Sequence, residues 1–271
     1  MYTHTYTQLF NIASFFVDFS FIVCYDVLIR NLGGATLSGL NALDINKERD
    51  RVVSKSVDLV RKARHELSAK ETTLVDFMIS RVKDNDNQLL SVETTLSEIN
   101  AICDFGEGGA SYGSTEKALY NLTSKGMLVE TEDGWITNGR WLEKVYIKEG
   151  QAVLKLDKDL APYLLHYAGK KHSHYSFRDQ VNLKSIYAKK LYELLQSYDD
   201  GEEVERTVEF MKEFFNKENT EWYRLLNYIR KAVNTITEVT TMTVTYSTIK
   251  QGKSTVAIRF LVQKKKEELI N

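Results

Sequence analysis

Apolar residues recur along this chain with two periods, one helical and one strand-like, and the switches between them divide it into similar halves. In SAKETTLVDFMISRVKDND, residues 68–86, Leu74, Val75, Met78, Ile79 and Val82 fall three or four positions apart. That spacing lines one face of a helix. Ser68 and Glu71 open it as a capping box, in which each side chain satisfies a free amide of the first turn. SVETTLSEINAICDF, residues 91–105, predicts a second helix with Leu96, Ile99 and Ile102 inward. SYGSTEKALYNLTSKGM, residues 111–127, predicts a third, starting near Ser114 and ending at Gly126. Short apolar runs follow, punctuated by Asp133-Gly134, Asn138-Gly139 and Glu149-Gly150. Such pairs mark hairpin turns. Three helices and a β-hairpin make a winged helix-turn-helix.

The plan repeats downstream. NLKSIYAKKLYELLQSYDDG, residues 182–201, carries a stripe of Leu183, Ile186, Tyr187, Leu191, Leu194, Leu195 and Tyr198. Ser185, Lys189, Tyr192 and Gln196 lie opposite it, with Lys184 and Lys190 on the flanks. TVEFMKEFFNKEN (207–219) reads as the next helix and TEWYRLLNYIRKAVNTITEVT (220–240) as the third. MTVTYSTI and STVAIRFLV then alternate as paired strands around KQGK, residues 250–253, with Val256, Ile258, Phe260 and Val262 on one face. Aligning the third helices at Ser114 and Glu221 gives a repeat offset of 107 residues, the difference of the two numbers. The predicted fold is α+β, two tandem winged helix-turn-helix domains behind a helical or irregular N-terminal extension. The boundaries are 1–45 for the extension and its linker, 46–165 and 166–264 for the winged helices, and 265–271 for a tail.

The extension contains LFNIASFFVDFSFIVCYDVLI, residues 9–29, which is long enough to cross a bilayer but is broken by Asn11, Asp18 and Asp26. No Lys or Arg precedes it, so it lacks the positive start of a signal peptide. Three readings stay open: a buried or partner-docking helix, an upstream extension from a misplaced start codon, or a membrane contact. Residues 31–44, with Gly33, Gly34 and Gly39, read as a linker.

Composition constrains function only weakly. The 271 residues carry a formal net charge of −1. Residues 170–271 hold 18 Lys+Arg against 14 Asp+Glu, a local charge of +4, and the remainder holds 18 against 23, or −5. A local positive field can attract phosphate when the total is near zero. Cys24 and Cys103 stand far apart with no metal-ligand spacing, which reads as two free thiols and no zinc site. GGASYGST, residues 108–115, has the glycine spacing of a phosphate loop but no lysine after the second glycine. HSHY, residues 172–175, has the paired histidines and tyrosine of a nicking enzyme, yet Ser173 stands where a bulky hydrophobe belongs; the histidines read as part of a basic linker with Lys170, Lys171 and Arg178. No cofactor is expected, and no catalytic constellation is present.

The chemistry-bearing faces are basic. On the last long helix, a stripe of Trp222, Leu226, Ile229, Val233 and Ile236 turns Arg224, Asn227, Tyr228, Lys231 and Asn234 outward. Arg, Lys and Asn are the side chains that pair with guanine and adenine edges in the major groove. Lys250 and Lys253 flank a glycine turn where a wing reaches phosphate. Lys189 and Lys190 are expected on a wet face that approaches the DNA backbone. The third helix of the first half offers Ser114, Thr115, Lys117, Asn121 and Lys125.

Three stretches, VVSKSVDLVRKARHELSAKETTLVDFMISRV, NLKSIYAKKLYELLQSY and AVNTITEVTTMTVTYSTIKQGKSTVAIRF, resemble in order the initiator replication proteins of theta-replicating plasmids with repeated origin sites. The resemblance runs over about residues 52–262, and the first 45 residues have no counterpart in it. It implies a bacterial, cytoplasmic, non-enzymatic protein that binds direct repeats in double-stranded DNA, opens the origin and recruits the host initiator and helicase. It also implies a first domain that contacts part of the repeat and contributes to dimerisation, a monomer–dimer equilibrium, and a dimer that represses its own promoter. The rival readings are a winged-helix transcriptional regulator, a nicking enzyme, and a membrane-associated interaction protein.

Overall fold

The computed structural model describes residues 44–82, 91–130, 136–165 and 170–264. The apolar run at 9–29, the turn expected at Asp133-Gly134 and the tail expected at 265–271 lie outside them. Residues 44–264 fall within one compact unit.

Two winged helices of the same topology make up most of that unit, with the short helices α1 (Ile45–Arg49) and α6 (Ala161–Leu164) flanking the first. In the second, helix α8 (Ile186–Gln196) is followed by strand β9 (Glu203–Thr207), helices α9 (Val208–Phe214) and α10 (Trp222–Val239), and the hairpin β10 (Met242–Gln251) and β11 (Ser254–Lys264). The sheet order is β10-β11-β9. In the first, α3 (Ala69–Ile79), β3 (Ser91–Thr95), α4 (Leu96–Cys103), α5 (Gly109–Leu122), β6 (Leu142–Lys148) and β7 (Gln151–Leu156) follow the same course, in the order β6-β7-β3. An insert distinguishes the first: β4 (Gly126–Glu130) and β5 (Ile136–Arg140) form a further sheet with β2 (Arg64–His65).

Local sequence sets the helix starts. The Ser68–Glu71 capping box is formed, with Glu71 N–H donating to Ser68 Oγ at 3.3 Å and Ser68 N–H to Glu71 Oε2 at 2.7 Å. A second box, Thr95–Glu98, starts α4 at Leu96. The stretch expected to be wholly helical from Ser91 is therefore strand up to Thr95, and Val92–Glu93 pair with Leu154–Val153 in the ladder. Thr207 caps α9 without a reciprocal bond, accepting from Phe210 N–H at 3.1 Å. Val92-Glu93-Thr94-Thr95 and Val204-Glu205-Arg206-Thr207 are equivalent strand-to-cap segments, 112 residues apart (207 − 95). The offset of 107 misplaces them because α5 begins at Gly109, a turn and more before Ser114.

Of the hairpin signals, Glu149-Gly150 is a turn, with both residues at positive φ (52° and 80°) joining β6 to β7. Asn138-Gly139 is not. It lies inside β5, opposite Leu128 and Met127. A Cβ at Gly139 would meet Met127 Cε at 3.3 Å, so this glycine answers to close packing.

Ahead of each winged helix sits one more matched pair. β1 (Val52–Ser56) leads into α2 (Val57–Lys62), and β8 (His172–Ser176) into α7 (Phe177–Asn182), with Ser56 and Ser176 as N-caps. β1 and β8 pair antiparallel, with Ser54 opposite His174 at the centre. The flanking bonds match as well: Val57 N–H donates to Lys171 O and Phe177 N–H to Arg51 O. The halves thus share a ladder about a local pseudo-twofold. The His-Ser-His-Tyr stretch, expected as linker, is this ladder's second strand, and His172 Nδ1 lies 3.2 Å from Ser54 Oγ.

Helix α8 packs between the halves, against α2, α3 and β8 on one side and α10 on the other. Its apolar stripe is buried as expected, with Leu191, Leu194 and Leu195 fully enclosed. Tyr192, expected outside, is enclosed too and donates to Asp179 Oδ2 at 2.9 Å.

Two outcomes test this architecture. Thr95→Ala and Thr207→Ala each remove one helix cap and lower unfolding stability by about 1 kcal/mol. The sites are far apart in sequence and in different halves, so the double variant sums them in urea titrations. Leu191→Ala empties the centre of α8 and costs about 2–5 kcal/mol by the same titration.

Candidate nucleic-acid interface

The long helix α10 spans about 27 Å at 1.5 Å per residue. Leu225, Ile229, Ala232, Val233 and Ile236 anchor it, with Trp222 and Leu226 half-buried beside them. The anchoring stripe is turned toward Leu225 and Ala232 relative to the sequence expectation, and the outer face is unchanged. Arg224, Asn227, Tyr228, Lys231 and Asn234 are all exposed. Two residues the sequence reading missed join them, Tyr223 and Arg230. Tyr223 lies one turn before Asn227, a spacing that would have found it.

The face is ordered by neutral partners. Arg224 Nε donates to Tyr223 Oη at 2.9 Å, and Arg230 Nη2 donates to Asn227 Oδ1 at 3.0 Å. Tyr228 stacks flat on Tyr187 of α8, with centroids 4.6 Å apart and planes 2° from parallel. Tyr187 in turn packs on Phe215. Among the described residues neither guanidinium pairs with a carboxylate, and these neutral bonds hold the side chains in place. A face of this composition suits a polyanion with readable edges.

At the end of the β10–β11 hairpin, Gly252 at φ +63° makes the turn, and Lys250, Gln251 and Lys253 are exposed on it. Arg259, further along β11, is taken up by Glu203 and Glu205 of β9, at 3.6 and 3.1 Å. The tip lysines therefore carry the positive charge of this wing.

The first half is mixed. On α5, Ser114 and Lys117 are exposed, Ser114 accepting from Lys70 Nζ at 3.1 Å. Asn121 is half-buried and donates to Glu71 Oε1 at 3.3 Å. Lys125 pairs with Glu71 at 2.7 Å. Thr115 is a correction: it is fully buried, and its hydroxyl donates to Asn100 Oδ1 at 2.6 Å. Asn100 Nδ2 donates to Gly106 O, so Thr115 ties α5 to the α4–α5 turn. Tyr120, exposed on α5, was missed. The glycine-rich run ahead of it is the first part of α5, with Gly108 as N-cap, and forms no loop of phosphate-binding shape.

Lys189 and Lys190 are the larger correction. Expected on a wet face, they are 2% and 6% exposed. Lys189 Nζ donates to the carbonyl of Gln180, and Lys190 Nζ to that of Phe214 at 2.6 Å. Burial pushes both ammonium groups down to about 8. The face opposite the apolar stripe is covered by elements of both halves, so neither lysine stands on a wet face.

Among the described residues no group of three or more His, Cys, Asp or Glu could hold a metal ion, and no helix is long and apolar enough to cross a membrane. The apolar run at residues 9–29 lies outside them.

The fold has relatives. Among solved structures, the chain matches the Pi initiator protein in complex with iteron DNA at TM-score 0.67 and 13% identity, over 81% of this chain and 99% of that one. It matches domains 2 and 3 of RctB at TM-score 0.50 and 10% identity, over 80% and 92%. No curated protein sequence matches. Residues 52–196 match the model for the first winged helix of the initiator replication protein, and residues 226–262 that for the second. The chain belongs to the initiator replication protein family and carries its two winged-helix domains.

Proposed function

We propose that this protein starts replication of a plasmid by binding direct repeats in double-stranded DNA at the origin, with 46–165 and 166–264 as its two DNA-reading domains. The exposed face of α10 carries the reading: Arg224, Asn227, Tyr228 and Lys231 stand together on a rigid helix, beside a wing with two lysines at its tip. The Pi initiator, similar in fold, was crystallised with iteron DNA. In this reading Arg224 and Asn227 contact base edges, Lys231, Lys250 and Lys253 contact phosphate, and Ser114 and Lys117 of α5 serve a second part of the same repeat. Tyr223 and Arg230 extend the α10 contact.

Binding would then promote strand opening through DNA deformation and recruit the host initiator and helicase, without catalysis by the chain itself. A monomer would initiate, and a dimer would occupy its own promoter. The protein would act in the bacterial cytoplasm. A transcriptional regulator without a replication role is the competing reading, separated by whether the preferred DNA is an array of direct repeats or a single inverted repeat.

Fluorescence anisotropy with a direct repeat from DNA flanking the gene tests this. Binding that survives random-sequence competitor supports it, and binding lost to competitor overturns it. Arg224→Ala is expected to cost about 1–3 kcal/mol on the repeat and far less on random DNA. Equal losses on both would make Arg224 a backbone contact. Replacing Lys250 and Lys253 together with alanine is expected to weaken binding to every sequence. The slope of log K against log salt should fall by about 2, since each phosphate contact contributes about 0.9. An unchanged slope removes the wing from the interface.

A further inference from the structure

A cluster of ionisable groups is buried between the two winged helices, away from every DNA-facing residue. Lys55 of β1 lies at its centre, 2.7 Å from Asp76 of α3 and 3.2 Å from Glu193 of α8. None of the three is more than 8% exposed. Tyr175 of β8 donates to Asp76 Oδ1 at 3.1 Å, and Gln180 of α7 donates to Glu193 Oε1 at 3.1 Å. From α8 itself, Lys189 and Lys190 add positive charge, and His65 of β2 lines the same region. Beside Glu193 is a cavity of about 20 Å³, lined by Lys55, His65, Trp141, Lys190 and Phe214 among others, with room for about one water molecule.

Such a cluster is poor stabilisation, because taking several charges out of water costs more than their pairing returns unless geometry is good. What it supplies is a fixed join. α3, which carries Asp76, packs on α5, and α8, which carries Glu193, packs on α10. Lys55 therefore ties together the two helices on which the candidate DNA-reading helices rest. We propose that Lys55, Asp76 and Glu193 form a latch that sets the separation of the two reading faces, making Glu193 a positioning residue for recognition of a whole repeat. The recognition part of this rests on the origin-binding reading above; the latch between the halves does not.

The latch has a pH signature. Burial, opposed by Lys55 and reinforced by the Asp76 carboxylate, pushes Glu193 up to about 7 from its ordinary 4.5. Opened to water, Glu193 releases its proton near the ordinary value; closed, it keeps it to neutrality. Between those values Glu193 makes the open form bind fewer protons and favours opening as pH rises, up to the folded value; His65, which burial holds well below its ordinary 6.5, acts in the opposite sense below 6.5 where opening exposes it. Lys189 and Lys190, held down to about 8, act only above that range and in the opposite sense.

The test uses the full chain and Glu193→Gln, which keeps the shape and cannot titrate. Amide exchange of the β1–β8 ladder, corrected for intrinsic rates, is measured at pH 5 and pH 7.5. Affinities for a whole repeat and for a repeat truncated from one end are measured at the same values. Relative to Glu193→Gln, wild type is expected to lose ladder protection and whole-repeat preference as pH rises, with truncated-repeat affinity unmoved. Glu193→Gln keeps only the opposing contribution of His65, so its protection is expected to hold or rise over the same range. A variant that follows wild type in both measurements overturns the latch. A difference between wild type and variant in the pH response of protection, with none in that of repeat preference, overturns the recognition role alone. Wild type that binds no repeat at either pH overturns the origin reading and the recognition role together, and the exchange pair still decides the latch.

Discussion

The burial of α8 on all sides is the constraint on which the remaining architecture rests. A helix with an ordinary wet face could belong to one domain. This one presents Leu191, Leu194 and Leu195 to the core while Lys189, Lys190 and Glu193 are also enclosed. Enclosing charge in this way requires partners in fixed positions, because an unmatched buried ion is far more costly than an exposed one. Lys55 and Gln180 meet Glu193, and the carbonyls of Gln180 and Phe214 accept from the lysines. Those partners come from β1, α7 and α9, so α8 cannot be placed correctly until both halves are. The β1–β8 ladder adds a covalently distant join at the same seam.

This explains which parts of the fold were legible in the sequence. The winged-helix plan was, because each repeat announces its helices by caps and 3.6-residue spacing and its wing by alternation. The outward face of α10 was legible for the same reason: one side packs, the other meets solvent, and a helical projection knows about one neighbour. On α8 the projection failed. The sequence shows which residues share a face but not that a second domain will cover it. Asp76, 117 residues earlier than Glu193 (193 − 76), gives no local sign that it will lie beside it. Thr115 failed at smaller scale: its partner Asn100 sits on the preceding helix.

Two misreadings had signals that were present. Thr95 and Glu98 spell a capping box as clearly as Ser68 and Glu71 do, and they fix the start of α4 at Leu96. Reading that box would have released residues 91–95 to form a strand and corrected the repeat offset. Asn138-Gly139 had no such signal. A glycine required for a turn and a glycine required for the approach of Met127 are identical in sequence. Only the ladder partner separates them.

The charge distribution completes the argument. A net charge of −1 would ordinarily turn attention away from nucleic acid. Much of the chain's basic inventory, however, is spent internally. Arg61, Lys55, Lys189 and Lys190 bond to buried or half-buried groups, and Arg259 is matched by two glutamates. Counting charges over the whole chain therefore measures the wrong quantity. What attracts a polyanion is the set of cations held at the surface by neutral partners, and on α10 that set is Arg224 against Tyr223 and Arg230 against Asn227. Aromatic and amide groups keep those side chains in place without cancelling their charge, and the flat Tyr187–Tyr228 stack carries that order back to α8. The same helix thus carries the seam on one side and the support of α10 on the other, so the exposed face of α10 and the buried charges share one foundation.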